Sequence, residues 1–490
     1  MSGRHGGVWM VAWLLLLLVA AEEAEEGGER QGRVDKLLWR SARPEKMWRI
    51  HSQIYHEMEA LAENPTDVQL YSRIEVVCKN NEEPNSRWLN MWNSGVWDPM
   101  LEQGYALPVL PFYALVFPFN MSQVFKSCVG WAEKFGTYTS REGLPKPFVN
   151  VFWKEFRETG GVCSSHNPPC ITAVPVIKIG YISSDIYRIH PVGKSINAVL
   201  RMHDRRQFEV YAFLLIPVQI EHAEMLESGT GGVLLSDISI LSSAEGASTI
   251  NDEGIHILID LNGHTSGVRM EVFAYAPTPI VMHYMGFGAT TGARYIHYFL
   301  ADTAVSTPEL SVYYTEKMAY LPATFYANSY RYDPDRLPYV RRNETFREER
   351  ERADLPPDGV VLCNFNHLHK TSRAMWSLWA QILLRCRREQ SKHRHALADV
   401  FLDNNEYNGG TTGLDSYWAD VPIISAPQEK FSARYGASFN RGARMEILTA
   451  RNGEDYVKIA KLIRGIRDRL VKDKNSTDGG ESESHIMVND

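Results

Sequence analysis

The sequence predicts an α/β protein built from two doubly wound blocks, preceded by a helical N-terminal segment. From residue 176 onward, short apolar runs rich in Val, Ile and Phe alternate with stretches of helical periodicity. Asn, Asp, Ser and Gly residues gather where the apolar runs end, and a charged segment divides the pattern into two parts. This alternation favours parallel sheets covered by helices, with ligands at the carboxyl ends of the strands.

The first block, residues 176–330, is predicted to form the N-terminal lobe of a two-lobed protein. A segment of helical periodicity at 195–203 follows its first strand. Polar sequences follow the strands, namely S-S-D, N-G-H-T and a glycine at 286. We therefore expect loops that contact a ligand at this edge of the sheet. The predicted strands are 176–183, 208–215, 255–261 and 280–285.

The second block, residues 358–471, is predicted to form the C-terminal lobe after a charged linker at 331–357. It opens with a predicted strand at 360–363 and an amphipathic helix at 373–386, and a further helix at 456–470 closes it. Two α/β blocks joined by a linker are typical of two-lobed enzymes that bind their ligand in the cleft. Fold alone does not identify the ligand.

The stretch 397–427 carries the most informative local pattern of the second block. It reads as a short apolar strand, a glycine-rich turn, a helix start and a β-branched strand. The N–H groups of the helix start, with two threonine hydroxyls beside them, would suit a phosphate. A tightly packed turn without a ligand explains the same residues, and this stretch alone does not decide between the two interpretations.

The regions outside the two blocks differ from them in composition. Residues 34–87 have helical periodicity that Pro65 interrupts, without a second copy at a fixed period. Residues 88–175 are rich in Trp and Pro and are predicted to be a linker region. The three prolines at 108–119 exclude a long regular helix there. The polar tail at 472–490 is predicted to be disordered.

The composition argues against a general nucleic-acid-binding protein and against a disulfide-rich scaffold, and the N-terminus indicates a targeting segment. The 490 residues carry a net charge of −7, which provides no general basic surface for nucleic acid. Six cysteines are too sparse for a disulfide scaffold in a chain of this length. Residues 1–21 combine a basic start, an apolar run and a small-residue end, which is typical of a secretory signal peptide. An uncleaved anchor is the alternative, and only then would a membrane be a partner.

Several motifs together resemble the catalytic region of one family. They are I-G-Y-I-S-S-D before His190–Pro191, D-E-G-I-H-I-L-I-D-L-N-G-H-T at 252–265, M-G-F-G-A-T-T-G at 285–292, C-N-F-N-H-L-H-K at 363–370 and the stretch 397–427. In this order, the chain is similar to the O-GlcNAc transferases and the related Spindly-type O-fucosyltransferases. The resemblance implies a GT-B glycosyltransferase with two Rossmann-like halves, which moves a sugar from a nucleotide to Ser or Thr with inversion and without a metal or cofactor.

The resemblance also implies roles for individual residues. Lys370 matches a lysine at the donor pyrophosphate, and His190 matches a histidine that accepts the hydroxyl proton or orients the sugar. A histidine that only satisfies backbone groups before Pro191 is the alternative for His190. Residues that match the nucleotide-binding motifs are Asn366, His367, Asn408, Gly409, Gly410, Thr411, Thr412 and Asp415. Residues that match loops on the sugar and acceptor side are Asn262, His264 and Gly286.

The chain departs from the family in several ways. Only residues 387–396 separate the helix at 373–386 from the next strand, where the family has a further strand and helix. Removal of a βα unit from a parallel sheet would leave a hole or change the strand order. Gly410 stands where the family usually has His. The long tetratricopeptide array of the family is reduced to 34–87, as a possible remnant repeat, or is missing.

These observations support three hypotheses about function. The favoured one is a protein O-glycosyltransferase that uses UDP-GlcNAc, and the G-H-T form at 263–265 supports GDP-fucose as the alternative donor. A catalytically inactive transferase kept as a binding module is the third. Protein substrates with Ser or Thr acceptors and a sugar nucleotide are the expected partners. The signal-like segment indicates the secretory pathway or endoplasmic reticulum, whereas the resemblance indicates nucleus and cytoplasm.

Overall fold

A computed structural model describes residues 97–104, 106–107, 110–141, 176–187, 190–217, 232–332, 345–352, 360–366, 370–383, 398–463 and 465. The signal-like segment, the helical segment at 34–87, the tail, His367 and residues 387–396 lie outside them, so the interpretations placed there remain predictions. Among the described helices, none combines the length and the apolar character that a bilayer-spanning segment requires.

The described chain alternates helices and strands as the sequence predicts. The helices are α1 (Trp97–Glu102), α2 (Pro111–Val116), α3 (Met121–Arg141), α4 (Pro191–Met202), α5 (Ser243–Asp252), α6 (Met270–Ala274), α7 (Thr345–Arg352), α8 (Arg373–Leu383), α9 (Thr411–Trp418), α10 (Tyr435–Gly442) and α11 (453–463). The strands are β1 (Ile177–Ser183), β2 (Phe208–Leu214), β3 (Val233–Asp237), β4 (Ile257–Asp260), β5 (Ile280–His283), β6 (Tyr298–Ala301), β7 (Lys317–Tyr320), β8 (Leu362–Cys363), β9 (Val400–Leu402) and β10 (Ile423–Ile424).

The described elements separate into two compact units. The seven-stranded unit comprises Arg87–Leu337 and Gln428–Arg444, and the three-stranded unit comprises the described residues of Pro338–Pro427 and Met445–Asp490. In the first unit the strands β1–β7 form one parallel sheet in the order 3-2-1-4-5-6-7. In the second unit, β8, β9 and β10 form a parallel sheet with β9 in the middle. Both sheets are those of a doubly wound α/β fold.

Burial explains the strands of the seven-stranded unit. The last five residues of β1 and of β2 are all buried, because helices cover both faces of a parallel sheet. The core of this unit includes Ile182, Phe213, Leu258, Phe273 and Val281, all at most 1 % exposed. This core fixes the strand ends from which the polar loops begin.

The Trp- and Pro-rich region 88–175, predicted as a linker, contributes helices to the seven-stranded unit. Helix α2 begins at Pro111, where the missing N–H costs nothing, and it ends one residue before Phe117. Helix α3 places Ala132 and Phe135 in the core of the same unit. The prolines therefore limit the length of helix α2, as the sequence predicts, without preventing it.

Residues 428–444 were predicted to lie in the C-terminal lobe, but the structure assigns them to the seven-stranded unit. Phe431 is buried, and its ring centroid lies 4.9 Å from that of Phe299 and 4.9 Å from that of Phe325. The Ser438 hydroxyl donates to Asp302 Oδ2 at 2.6 Å. An aromatic cluster and a buried carboxylate therefore hold this returning segment, and neither is visible in its local sequence.

The three-stranded unit is built around the centre strand β9. Helix α8 buries Met375 and Trp379 against β9 and β10, and helix α11 adds Tyr456 to the same core. The Trp379 indole N–H donates to the Tyr456 hydroxyl at 3.2 Å. That hydroxyl donates to the carbonyl oxygen of Asp403 at 3.0 Å. Both covering helices are thus tied to the carboxyl end of β9.

The strand order also locates the gap that the sequence predicts. Strands β8 and β9 pair directly, with Leu362 opposite Val400 and Cys363 opposite Phe401. In the seven-stranded unit the corresponding pair is β1 and β4. Strands β2 and β3, which come between them along the chain, lie on the side of β1 away from β4. By the same order, a missing βα unit would belong on the side of β8 away from β9. The gap therefore interrupts no strand pair among the described residues.

Candidate functional site

The predicted site residues lie in two sets, one in each unit, at the carboxyl ends of parallel strands. The set in the three-stranded unit surrounds the turn between β9 and α9. The set in the seven-stranded unit surrounds the loops after β1, β4 and β5. In both units the polar residues therefore follow apolar strands, as the sequence predicts.

The turn after β9 is organised by Asp403, a fully buried residue directly after the strand. Its Oδ1 atom accepts three hydrogen bonds, from Asn366 Nδ2 at 3.0 Å, the Gly409 N–H at 2.8 Å and the Asn404 N–H at 2.9 Å. The loop after β8 and the glycine turn are therefore joined through one carboxylate oxygen. Asp403 was not among the residues that the sequence singled out.

Asn366 extends this arrangement to the helix start. Its Oδ1 atom accepts the Thr412 hydroxyl at 3.1 Å, while its amide nitrogen donates to Asp403. A Cβ atom on Gly409 would lie 2.7 Å from Thr412 Oγ1 and 2.9 Å from Asn366 Oδ1. Only glycine fits this close approach, as the sequence predicts for the turn.

Gly410 is the residue that precedes the first turn of α9, and no side-chain capping bond is formed there. Thr411 and Thr412 open the helix, and Asp415 follows one turn later, half-buried. Asn408 is buried and its side-chain amide donates to the carbonyl oxygen of Asn404, which braces the loop. The first N–H groups of α9 therefore lack the side-chain cap that Ser, Thr or Asp would provide at the position of Gly410.

Lys370 lies beside this turn. Its Nζ atom is 3.8 Å from the centroid of the Tyr407 ring, a cation–π distance. Burial lowers the pKa of Lys370 to about 8, and the Asp403 charge opposes that shift. Burial raises the pKa of Asp403 to about 7, against its hydrogen bonds from Gly409 and Asn366. The unit thus places a cation, a threonine hydroxyl and a helix start around one turn, a combination that suits a phosphate group.

In the seven-stranded unit, Asn262 joins the loops after β1 and β4. Its Oδ1 atom accepts the Ser184 N–H at 2.9 Å, and its Nδ2 atom donates to Ser184 Oγ at 2.8 Å and to Asp185 Oδ2 at 3.1 Å. Thr265 takes a further bond from Nδ2 at 3.0 Å. Asn262 therefore shapes the loops, since its polar atoms already have protein partners.

His190 is the N-cap residue of α4. Its Nδ1 atom accepts the Val192 N–H at 3.3 Å, and its Nε2 atom is 3.8 Å from Asp185 Oδ1. Burial lowers the pKa of His190, and the charge of Asp185 opposes this. Because Nδ1 accepts a hydrogen bond, the neutral ring carries its proton on Nε2. The capping contact is the backbone alternative considered for this residue, and it leaves Nε2 on the side that faces Asp185.

His264 and Gly286 are enclosed within the seven-stranded unit. His264 is fully buried, and its Nε2 atom is 2.6 Å from the carbonyl oxygen of Thr291. Burial lowers the pKa of His264 to about 4, so the ring is neutral at pH 7 and Nε2–H is the donor. A Cβ atom on Gly286 would overlap the carbonyl oxygen of Leu261. Both residues hold loops together here, and a contact with sugar or acceptor stays a prediction.

Besides Asp403, sequence reasoning missed a buried histidine–aspartate pair close to these loops. Asp260 Oδ2 accepts a hydrogen bond from His283 Nδ1 at 2.8 Å, and His283 Nε2 lies 3.0 Å from the Phe287 carbonyl oxygen. Burial lowers the pKa of His283, but the hydrogen bond and charge of Asp260 outweigh this and raise it. The available signal was the same as for Asp403, namely a carboxylate at the end of an apolar strand. No cluster of three or more His, Cys, Asp or Glu residues suited to a metal ion occurs in the described ranges.

Comparison with a solved structure defines the class of the fold. An O-GlcNAc transferase mutant of Thermobaculum terrenum superimposes with a TM-score of 0.58 at 20% identity, covering 96% of this chain and 93% of that one. The chain therefore has the two-lobed GT-B α/β fold, as the sequence predicts. The model of Glycosyl transferase family 41 matches residues 165–338 and 386–476, more than half of the chain, and the chain belongs to this family.

Curated relatives carry related names. The probable UDP-N-acetylglucosamine–peptide N-acetylglucosaminyltransferase SEC of Arabidopsis thaliana is 31% identical, over 67% of this chain and 36% of that protein. The UDP-N-acetylglucosamine–peptide N-acetylglucosaminyltransferase of Caenorhabditis elegans is 24% identical, over 60% and 38%. The probable enzyme SPINDLY of Solanum lycopersicum is 23% identical, over 58% and 34%. The chain spans little more than a third of the length of these relatives.

Proposed function

We propose that the protein is an O-glycosyltransferase that moves GlcNAc from UDP-GlcNAc to Ser or Thr hydroxyls of proteins, with inversion and without a metal. The observation that carries the proposal is the turn after β9. There Lys370, the Thr412 hydroxyl and the start of α9 lie around the clamp formed by Asp403, Asn366 and Gly409. Membership of the family and the names of the relatives supply the substrate class.

Lys370 suits the departure of a nucleoside diphosphate. Transfer of the sugar breaks the bond between the anomeric carbon and the β-phosphate oxygen, and negative charge then builds up on the diphosphate. A fixed ammonium group and the positive end of a helix stabilise that charge more in the transition state than in the ground state. Because the ammonium group is partly buried, its attraction for phosphate is screened less than at an open surface.

His190 suits the role of a hydrogen-bond donor better than that of a general base. A base must offer a lone pair, but Nδ1 already accepts the Val192 N–H and Nε2 carries the proton in the neutral ring. Asp185 lies on the Nε2 side and favours that orientation. His190 would therefore orient the sugar through Nε2–H.

Two alternatives remain tied to specific observations. GDP-fucose is the second candidate donor, because the G-H-T sequence around His264 is closer to the Spindly-type form. An inactive binding protein is the third hypothesis. Gly410 provides no side chain at the helix start, and residues 387–396 stand where the family has a further strand and helix.

Isothermal titration calorimetry of the whole protein with UDP and with GDP separates these hypotheses. We expect UDP to bind at least about tenfold more tightly than GDP, a difference of about 1.4 kcal/mol. Tight binding of GDP alone would exclude GlcNAc as the donor sugar. If neither nucleotide binds, both enzyme hypotheses are wrong and the binding-module hypothesis stands.

The Lys370→Ala variant tests the proposed chemistry. Loss of the ammonium group should lower the rate of sugar transfer to a peptide by about 100-fold or more, as for other groups that stabilise developing charge. Lys458→Ala is the matched control, because that lysine lies in the same unit with a side chain 72% exposed. Circular dichroism should show both variants folded. Transfer by Lys370→Ala at the rate of the control would show that Lys370 has no part in the reaction.

A further inference from the structure

We propose that Asp403 is the positioning residue of the diphosphate site, a buried carboxylate that holds Asn366 and the glycine turn in one binding arrangement, with Lys370 packed on Tyr407 of the same turn. This inference rests on the proposed function, since it concerns the same turn. Nothing in the family resemblance singled Asp403 out, and the reasons for it are its hydrogen bonds and the charges around it.

The first reason is the number of segments that meet at this carboxylate. Its Oδ1 atom takes hydrogen bonds from the loop after β8 through Asn366, from the chain that follows the strand through Asn404, and from the glycine turn through Gly409. Asn366 in turn fixes the hydroxyl of Thr412 at the helix start. Movement of one carboxylate oxygen would therefore displace the polar groups on both sides of the turn.

The second reason is that hydrogen bonding alone does not require a charge at this position. The amide oxygen of an asparagine can also accept N–H donors, and burial of a carboxylate is costly without compensation. The Oδ2 atom of Asp403 is buried and has no hydrogen-bond partner among the described residues. The cation at this turn is Lys370, whose Nζ atom lies 3.8 Å from the centroid of the Tyr407 ring, and its charge opposes the rise that burial causes in the pKa of Asp403.

The third reason is that the titratable groups around Lys370 and Asp403 are neutral at pH 7. Tyr456 on α11 is fully buried and Cys363 on β8 is half-buried, and burial raises the pKa of both groups well above the usual range, so both are neutral at pH 7. The Asp399 charge further raises the pKa of Cys363. Tyr407 meets Lys370 through its ring. Among the described side chains that these contacts bring together, Lys370 and Asp403 are left to titrate near neutral pH.

The Asp403 charge stabilises the protonated form of Lys370, so its removal lowers the pKa of Lys370 below about 8. Binding of UDP needs the ammonium form, and it should weaken as pH rises through the pKa of Lys370. In the Asp403→Asn variant this loss should begin at lower pH. At pH 8 and above, UDP affinity should then be lower by up to about tenfold for every pH unit by which the pKa of Lys370 has fallen.

The experiment measures UDP affinity between pH 6 and pH 9 for the whole protein, Asp403→Asn and Asp399→Asn. Asp399 is the matched control, a buried aspartate of the same unit that pairs with Arg350 at 2.6 Å and accepts the Val361 N–H. Its replacement should lower the thermal midpoint and leave the pH midpoint of binding unchanged. Lys370→Arg should abolish the alkaline loss of binding in both backgrounds, because a guanidinium stays protonated.

A second measurement decides the proposal independently of nucleotide binding. The rate at which an amine-reactive reagent labels Lys370, followed against pH by mass spectrometry, reports the pKa of that lysine directly. The labelling midpoint should shift to lower pH in Asp403→Asn. If that variant does not fold, the same shift is expected in Asp403→Ser. An unchanged labelling midpoint in a folded neutral variant would overturn the role of Asp403. Failure of the unaltered protein to bind UDP or GDP would instead overturn the proposed function.

Discussion

Asp260 and Asp403 occupy corresponding places in the two units, each at the carboxyl end of the strand that neighbours the first strand of its sheet. Asp260 uses both oxygens, for the N–H groups of Asn262 and Gly263 and for His283. Asp403 uses one oxygen and leaves Oδ2 without a hydrogen-bond partner among the described residues. Both oxygens of Asp260 are therefore hydrogen-bonded, whereas only one oxygen of Asp403 is.

The difference separates carboxylates that brace loops through both oxygens from one that uses a single oxygen. In the seven-stranded unit, Asp302 repeats the pattern of Asp260, because its two oxygens bind the N–H groups of Ala304, Val305 and Phe325 and the Ser438 hydroxyl. Saturated carboxylates of this kind fix loops. In the three-stranded unit, Asp403 binds N–H groups through one oxygen only, and burial raises its pKa while the Lys370 charge opposes that rise.

The largest expected effect is confined to the three-stranded unit. Arg350 and Asp399 form a buried ion pair at 2.6 Å, and Arg350→Ala would leave Asp399 buried without it, at a cost of about 3–5 kcal/mol. Hydrogen exchange followed by mass spectrometry should show lost protection in β9 and α11, with β1 and β2 unchanged. Arg352→Ala, which removes an exposed pair of the same helix, should change neither. Equal loss in both units would show that they do not unfold separately.

A smaller effect, dependent on pH, is expected in the seven-stranded unit. The pKa of His264 falls from 6.5 to about 4 in the folded state, so the fold favours the neutral ring. Its contribution is therefore full above pH 6.5 and is lost as pH falls toward 4, by about 3 kcal/mol in total. The free energy of unfolding of His264→Gln, measured against pH, should lack this part of the acid slope. An identical slope in the variant would contradict the assignment.

The sequence predicted the outline of both sheets because their signals are local. Apolar runs gave β1, β2 and the region of β9, and the Asn408–Gly410 turn was expected to allow close backbone approach, which Gly409 shows. The role of Asp403 was not predictable, because its partner Asn366 lies on another strand end. The burial of His264 depends likewise on Thr291 and Phe135, which are distant in the chain.

The returning segment 428–444 has a consequence for how the two units can be inherited. The chain leaves the seven-stranded unit at Leu337 and re-enters it from Gln428 to Arg444, so from Leu337 onward the boundary is crossed three times. A gene shortened at the first crossing would encode a seven-stranded unit without Phe431, and Phe299 and Phe325 would lose the ring that covers them. The seven-stranded unit therefore cannot be passed on whole as one continuous stretch of the chain.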